Sequence, residues 1–310
     1  IGSSAGQSSQ SQNSVAIGPG AGSTNQYQYS VAIGYNAGTT DQSQNSVAIG
    51  NAAGSTQSQN SVAIGNAAGQ TSQGQSSVAM GYQAAQNSQK NFCVAIGNYV
   101  GQTTQGQSSV AIGSWAGNNN QGETSVAIGV SAGQTSQGEQ SVAMGNQAGE
   151  TDQRTGSVAM GYQAGYTTQG QTSVAMGYQA GKTTQGQSSV AMGYQAAQNS
   201  PGTNSVAIGS STVCPNSNSV ALGSGATTTS DNQIVLGTAS ETVLIPGILE
   251  GYLSGSNVSA SIPLSGTGTE GGTYNGRYFC IGNLLIQFSD FSSSGPPSRP
   301  VTSNGGFHTI

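Results

Sequence analysis

The chain has 310 residues, with 5 basic and 10 acidic side chains, one His and three Cys. Eight Leu, 16 Ile, 21 Val and 5 Phe make only 50 of those residues, while Gly alone supplies 49. So little large apolar side chain excludes an ordinary globular core and leaves a low-complexity disordered polymer or a repeat protein that needs little core per residue. The acidic balance carries no basic cluster, so a nucleic-acid partner is not expected, and no apolar run is long enough to insert into a membrane. Cys93, Cys214 and Cys280 are far apart and form no CxxC pair, so neither a zinc site nor a disulfide framework is expected. With His308 the only His, no catalytic set, metal site or cofactor is expected.

In chain order, self-similarity decides between the two classes. A Ser-Val-Ala-Ile/Met-Gly string recurs from Val15 to Val220 with a 16-residue step, shortened to 15 between Val47 and Val62 and to 14 for the two steps from Val206 to Ile234. Ile1 and Gly2 match Ile17 and Gly18, so a further coil is expected ahead of them. In residues 174–189, Gly every few positions and the lack of a 3.6-residue apolar period exclude helix. Val174 and Met176 fall on one side of a short strand and Ala175 on the other. Gly177 bends the chain, a second short strand begins at Ala180, Gly181 turns again, and the polar remainder leads back to the next Ser-Val.

One repeat therefore predicts one coil of a parallel β-solenoid, with coils about 4.8 Å apart and a rod roughly 70 Å long. The expected core columns are Val110, Val142 and Val174 with Ile112, Met144 and Met176. The Gly that follows them, as at Gly113, Gly145 and Gly177, marks a backbone shape or close approach that a Cβ would block. A Gln column runs from Gln26 to Gln185 at one register, where amides can bond up the ladder. The shortened coil before Val62 is placed in the return loop after this Gln. Both faces of the Val-Ala-Ile strand are apolar. One can fill the coil, and the other needs a second surface, most simply another copy of the chain.

The Ser-Val-Ala-Ile-Gly string followed by an Ala/Gly turn resembles the head repeat of YadA-like trimeric adhesins, over residues 1–237. The resemblance implies a left-handed parallel β-roll packed as a homotrimer. The family's repeat is nearer 14 residues, a length met here only from Val206 to Ile234. The 16-residue Gln/Thr-rich form looks more like long fibre proteins of large DNA viruses and phages. After Ile234 there is no neck motif, heptad stalk or membrane anchor of the autotransporter kind.

From Thr238 the period stops, and residues 238–310 read as a small β-rich C-terminal module, complete or truncated. Strands are expected at Thr242–Ile245, Asn257–Ile262, Arg277–Ile281 and Leu284–Phe288, the last two joined by a Gly282–Asn283 turn. The stretch Gly276-Arg-Tyr-Phe-Cys-Ile-Gly-Asn-Leu-Leu-Ile-Gln-Phe resembles a signature of phage tail-fibre tip modules.

Candidate surface contacts are Tyr162, Tyr178 and Tyr194, which share one column and could stack on sugar rings, and Trp115, at an outer turn. Packing on neighbouring rungs is the competing reading for the Tyr column. Glu150, Asp152 and Arg154 form the densest charge cluster, for which a solvated loop with a local ion pair outweighs a cation site. Cys93 replaces the Ser before Val94 and is expected to be a small buried group, whereas Cys214 is placed in a loop. Taken together, the expectation is a non-enzymatic, extracellular, homotrimeric fibre segment on a virion or cell surface. It would space and present an attachment surface for a cell-surface glycan or protein receptor. A bacterial trimeric autotransporter head is the nearest alternative. An ice-binding solenoid and a tailspike-like glycan hydrolase rank lower.

Overall fold

The computed structural model describes residues 1–242 and the strands Arg277–Ile281 and Leu284–Phe288. The chain divides into two compact units, Ile1–Val243 and Leu244–Ile310. In the first, fifteen three-residue strands from Val15–Ile17 to Ile234–Leu236 form one parallel sheet in chain order. Each residue lies over its counterpart one coil on: Val110 on Val126, Ala111 on Ala127, Ile112 on Ile128. Sequence order equals spatial order, so the chain is an all-β solenoid, with no helix among the described residues. Backbone bonds bracket every strand. Val142 N donates to Ser157 O at 2.9 Å, and Gly161 N donates to Met144 O at 2.8 Å.

The glycine after each strand is held by geometry. Gly145 has φ +128°, and a Cβ there would sit 2.7 Å from Gly161 O and 2.9 Å from its carbonyl carbon. Gly113 and Gly177 repeat the arrangement, at φ +123° and +129°. A side chain at this position meets both an unfavourable backbone region and the backbone of the next coil.

The interior is thinner and more polar than the sequence suggested. Ala111, Ala143 and Ala175 of the strands and Ala116, Ala148 and Ala180 of the following turn are fully buried. Val110, Val142, Val174 and Met176 are only half-buried, and Ile112 and Met144 each remain 36% exposed. The expected core columns therefore line the outer face of the strand within one chain, and Ala is the inward residue. The reason is width. A Cβ added at Gly38 would already lie 3.4 Å from Ala32 Cβ, so the space between strand and turn is narrow, and among the described residues Val100, in the column of Ala116, is the one larger aliphatic side chain fully buried there.

The rest of the interior is amide and hydroxyl. The Gln column from Gln26 to Gln185 is at most 3% exposed. Gln105 Nε2 donates to Val94 O at 2.8 Å across the coil, and Gln89 Nε2 donates to Gln105 Oε1 at 2.9 Å between coils. Most of the buried Ser residues before Val donate to the carbonyl three residues back, as Ser141 Oγ does to Gly138 O at 2.6 Å. Each amide thus meets the requirement that a buried donor be paired. The inter-coil relay is interrupted, and among the described residues the Oε1 atoms of Gln26, Gln89, Gln121, Gln137 and Gln185 lack a partner.

Three other expectations need correction. The second ladder lies on the Gln column: Asn119–Gln121, Thr135–Gln137 and Thr151–Gln153 pair in parallel, whereas Ala180 sits in a turn. The one-residue shortening lies before Gln57, because Gln42 reaches Val31 O eleven residues back and Gln57 reaches Val47 O ten back. There Thr40 N and Asp41 N both donate to Ser55 O. Cys214 is an interior residue, buried with Sγ 3.5 Å from Ser219 O. In the 14-residue coils it and Thr228, also buried, take the place of Gln.

Cys93 is buried in the Ser column, with Sγ 2.8 Å from Gly106 O, and burial pushes its thiol pKa up. In the second unit, Arg277–Ile281 pairs antiparallel with Leu284–Phe288, Ile281 opposite Leu284 and Arg277 opposite Phe288. The Gly282–Asn283 turn and the strand expected at Asn257–Ile262 lie outside the described residues, as does all but Thr242 of Thr242–Ile245.

A surface amide row crosses several coils as well: Gln86 Nε2 donates to Gln70 Oε1 and Gln102 Nε2 to Gln86 Oε1, both at 3.0 Å. Glu150 occupies the same column four coils beyond Gln86. Burial raises its carboxyl pKa, with a bond from the Gln147 side chain pulling it back, and its Oε2 is buried without a partner.

These contacts set three expected outcomes. Gly145→Val should cost roughly 2–4 kcal/mol through clash and backbone strain, read as a lowered Tm. Gln105→Met keeps the volume but leaves Val94 O without its amide donor and Gln89 Nε2 without its inter-coil acceptor, and should cost about 1–3 kcal/mol in denaturant titration. A carboxyl whose folded pKa is raised binds its proton more tightly in the native state. Stability is then lost as pH rises from the ordinary value of 4.5 through the raised one. Glu150→Gln should therefore raise Tm at neutral pH, by the equivalent of about 0.5 kcal/mol, and the gain should vanish in a pH series below about pH 4.

Candidate functional site

Because interior positions are nearly invariant, chemical variety is confined to outward columns. The turn that follows each strand Gly carries most of it. Tyr162, Tyr178 and Tyr194 stand one residue after Gly161, Gly177 and Gly193 and stack in sequence, with ring centroids 5.1 and 5.2 Å apart and interplanar angles of 19° and 9°. They are 41%, 45% and 53% exposed. Spacing near the coil rise follows from the parallel register, which puts equivalent side chains above one another.

The next column holds Gln147, Gln163, Gln179 and Gln195. The Nε2 of Gln163, Gln179 and Gln195 each donates to the Oε1 one coil earlier at 2.8–3.0 Å, so an aromatic row and an amide row run side by side. The packing expected as the competing reading for the Tyr column is present, and the outer parts of the rings remain open to solvent.

Trp115 lies three coils away from Tyr162 and belongs to a second aromatic group. It stacks on Tyr99 with centroids 4.6 Å apart, and Tyr99 meets Tyr82 edge-on at 5.2 Å. Tyr99 escaped the column reading because it stands two residues after its Gly, where most coils carry Ala, Gln or Asn. The reach of an indole from the same turn position one coil on would have been the signal for it. Trp115 and Tyr99 both hold positive φ, 63° and 54°, the turn shape that aims them outward.

The charge cluster is looser than its sequence spacing suggests. Arg154 and Asp152 are 3.7 Å apart and exposed, while Glu150 points into the amide row described above. Arg154, Asp152, Asn120 and Gln171 border an open groove of about 410 Å³. Lys90 and Glu123 make a second exposed pair at 3.8 Å across two coils. Pairs of this kind are worth little individually. Among the described residues no three His, Cys, Asp or Glu side chains are placed to hold a metal ion, and no helix is long and apolar enough to cross a membrane.

The outer face of the strands is chemically uniform. Val15, Ile17, Met80, Ile96, Ile112, Met144, Met192 and Ile208 are exposed on it, with half-buried Val residues between them. This makes an apolar strip along the whole stack. A strip that long on a solenoid with a filled interior marks a surface that another surface covers.

The family model of the YadA head domain repeat, in two copies, matches residues 9–37, 28–53, 42–68, 121–148, 185–212 and 215–240. Among solved structures, the collagen-binding domain of the Yersinia adhesin YadA is similar at 25% identity, covering 60% of this chain and 80% of that one, with a TM-score of 0.31. No curated protein matches the sequence. The matched segments are similar to YadA head repeats, and the coils between them share the same strand, turn glycine and register.

Proposed function

We propose that the chain is a structural, non-enzymatic segment of a homotrimeric surface fibre that spaces and presents an attachment surface. The observation that carries this reading is the apolar strip. The coil interiors are already filled, mostly by Ala, Gln and Ser, yet Val and Ile or Met stay outward on rung after rung. At about 25 cal/mol per Å² of apolar surface removed from water, covering such a strip is a large driving force. A second and third copy present the same strip at the same rise. The number three comes from the resemblance to YadA-like heads.

The fibre belongs on a virion or phage in this reading. Its supports are the 16-residue Gln/Thr-rich coil and the antiparallel pair Arg277–Ile281 and Leu284–Phe288, within the stretch that resembles phage tail-fibre tips. The YadA-type repeats themselves favour a bacterial adhesin head as the second reading. In both, the target is a cell-surface glycan or protein met by repeated weak contacts, whose combined strength exceeds that of any one.

Mass photometry and chemical cross-linking of the purified chain should show three copies. Ile112→Asp combined with Met144→Asp should convert the trimer to monomer while circular dichroism retains the β signal. A wild-type chain that stays monomeric at micromolar concentration overturns the proposal.

A further inference from the structure

The aromatic and amide rows beside Gly161, Gly177 and Gly193 combine into something neither provides alone. Three Tyr rings repeat at 5.1 and 5.2 Å along the stack and are each about half exposed. Beside every ring a Gln amide is already fixed by its bond to the rung before, Gln179 to Gln163 at 2.8 Å and Gln195 to Gln179 at 3.0 Å. A Gln amide carries two N–H donors, so the ladder bond leaves a second donor at each rung. Gln179 Oε1 also accepts from Gln198 Nε2 at 3.0 Å, which ties the row to the next column. Side chains ordered before a ligand arrives lose little further entropy on binding. Neither row contains a carboxylate or a cation. The neighbouring cation, Lys182, is turned toward the Tyr166 ring, 5.9 Å from its centroid.

We propose that Tyr162, Tyr178 and Tyr194 with Gln163, Gln179 and Gln195 form a track for an uncharged, extended β-linked polysaccharide lying along the rod axis. An extended β-1,4-linked pyranose chain advances by close to one coil rise per sugar. Successive sugars, related by a half-turn, therefore present alternate but equally apolar C–H faces at the spacing of the Tyr rungs, with equatorial hydroxyls along the edge within reach of the amides. The absence of charge from both rows selects a neutral chain over an acidic one. Three rungs in each chain give individually weak contacts, and the proposed trimer repeats them around the axis. This inference deepens the attachment role proposed above and rests on it, naming the substrate class of the surface.

Affinity electrophoresis of the full chain in native gels containing hydroxyethyl cellulose tests it, with alginate gels as the acidic comparison and mass photometry on each variant. Wild-type protein should be retarded by hydroxyethyl cellulose and not by alginate. The triple variant Tyr162→Ala, Tyr178→Ala, Tyr194→Ala should lose at least tenfold in apparent affinity and keep its trimer mass. Tyr178→Phe should retain binding, because the exposed part of the ring and not the hydroxyl makes the contact. An unretarded wild type, a triple variant retarded like wild type, or retardation by alginate alone overturns the track. A triple variant that falls to monomer also overturns it, by assigning the Tyr row to the subunit contact. Trimeric but unretarded wild-type protein would sink the glycan track and leave the fibre reading standing, whereas retarded monomer would do the reverse.

Discussion

The parallel ladder places each residue on its own counterpart one coil away, about 4.8 Å above it, and the rest of the molecule depends on that constraint. Backbone must approach backbone closely at every turn, which is why Gly145 meets Gly161 with no room for a Cβ. Side chains that face inward must stack with copies of themselves. A methyl group does so without difficulty, and so does an amide that donates up and accepts from below. A branched Val or Ile inside so narrow a coil is met singly, as at Val100, but repeated on every rung it would crowd its own copies. The same residues facing outward make a regular strip. Thus a single geometric rule sorts Ala, Gln and Ser into the coil and Val, Ile and Met onto its face.

That rule also separates what was legible in the sequence from what was not. The period, the solenoid, the singular role of the strand Gly and the hairpin register at Ile281 and Leu284 could all be read, because each depends on spacing or on one residue type in one local shape. The inward and outward assignment of the strand could not. Alternation gives two faces, and hydrophobicity alone favours burying Val110 and Ile112 over Ala111. Only the width of the coil reverses the choice, and width is set by residues on opposite sides of the turn. The Gln column was visible as a column, yet its depth was hidden, because Gln is ordinarily a surface residue and its partner Val94 O is a backbone atom that no pattern reveals. The shortening before Gln57 was misplaced for a simpler reason. Val spacing and Gln spacing both contract there, and only the distance from Val47 to Gln57 tells which side lost the residue. At the candidate surface the column Tyr162, Tyr178 and Tyr194 could be read, whereas Tyr99 beneath Trp115 was hidden by its offset of one position.

A polar interior has consequences for how the rod behaves. Apolar cores resist water but are indifferent to small sliding. An amide column bonded to Val carbonyls across the coil and to its neighbours along it fixes both the phase of each coil and its rise. Buried amides are costly unless paired, so a coil that slips in register loses its partners at once. This specificity replaces the bulk hydrophobic burial that the composition denies the chain. Where the interior relay is interrupted, as between Gln105 and Gln121, other side chains bridge the coils: Asn118 Nδ2 donates to Tyr99 O and to Gln102 Oε1, and Trp115 stacks on Tyr99.

The same economy determines where function can reside. Interior columns admit almost no change, and the strand face is committed to its apolar strip. What is left are the turn positions after the Gly and the loop after the Gln, which carry all the aromatic variety and most of the charge. A difference introduced once there is a single weak contact. A difference repeated over consecutive coils, as at Tyr162, Tyr178 and Tyr194, becomes a linear array with the spacing of the backbone itself. A solenoid of this kind thus favours ligands that are themselves repetitive, and its recognition strength grows with the number of coils sharing a substitution, at no cost to the fold.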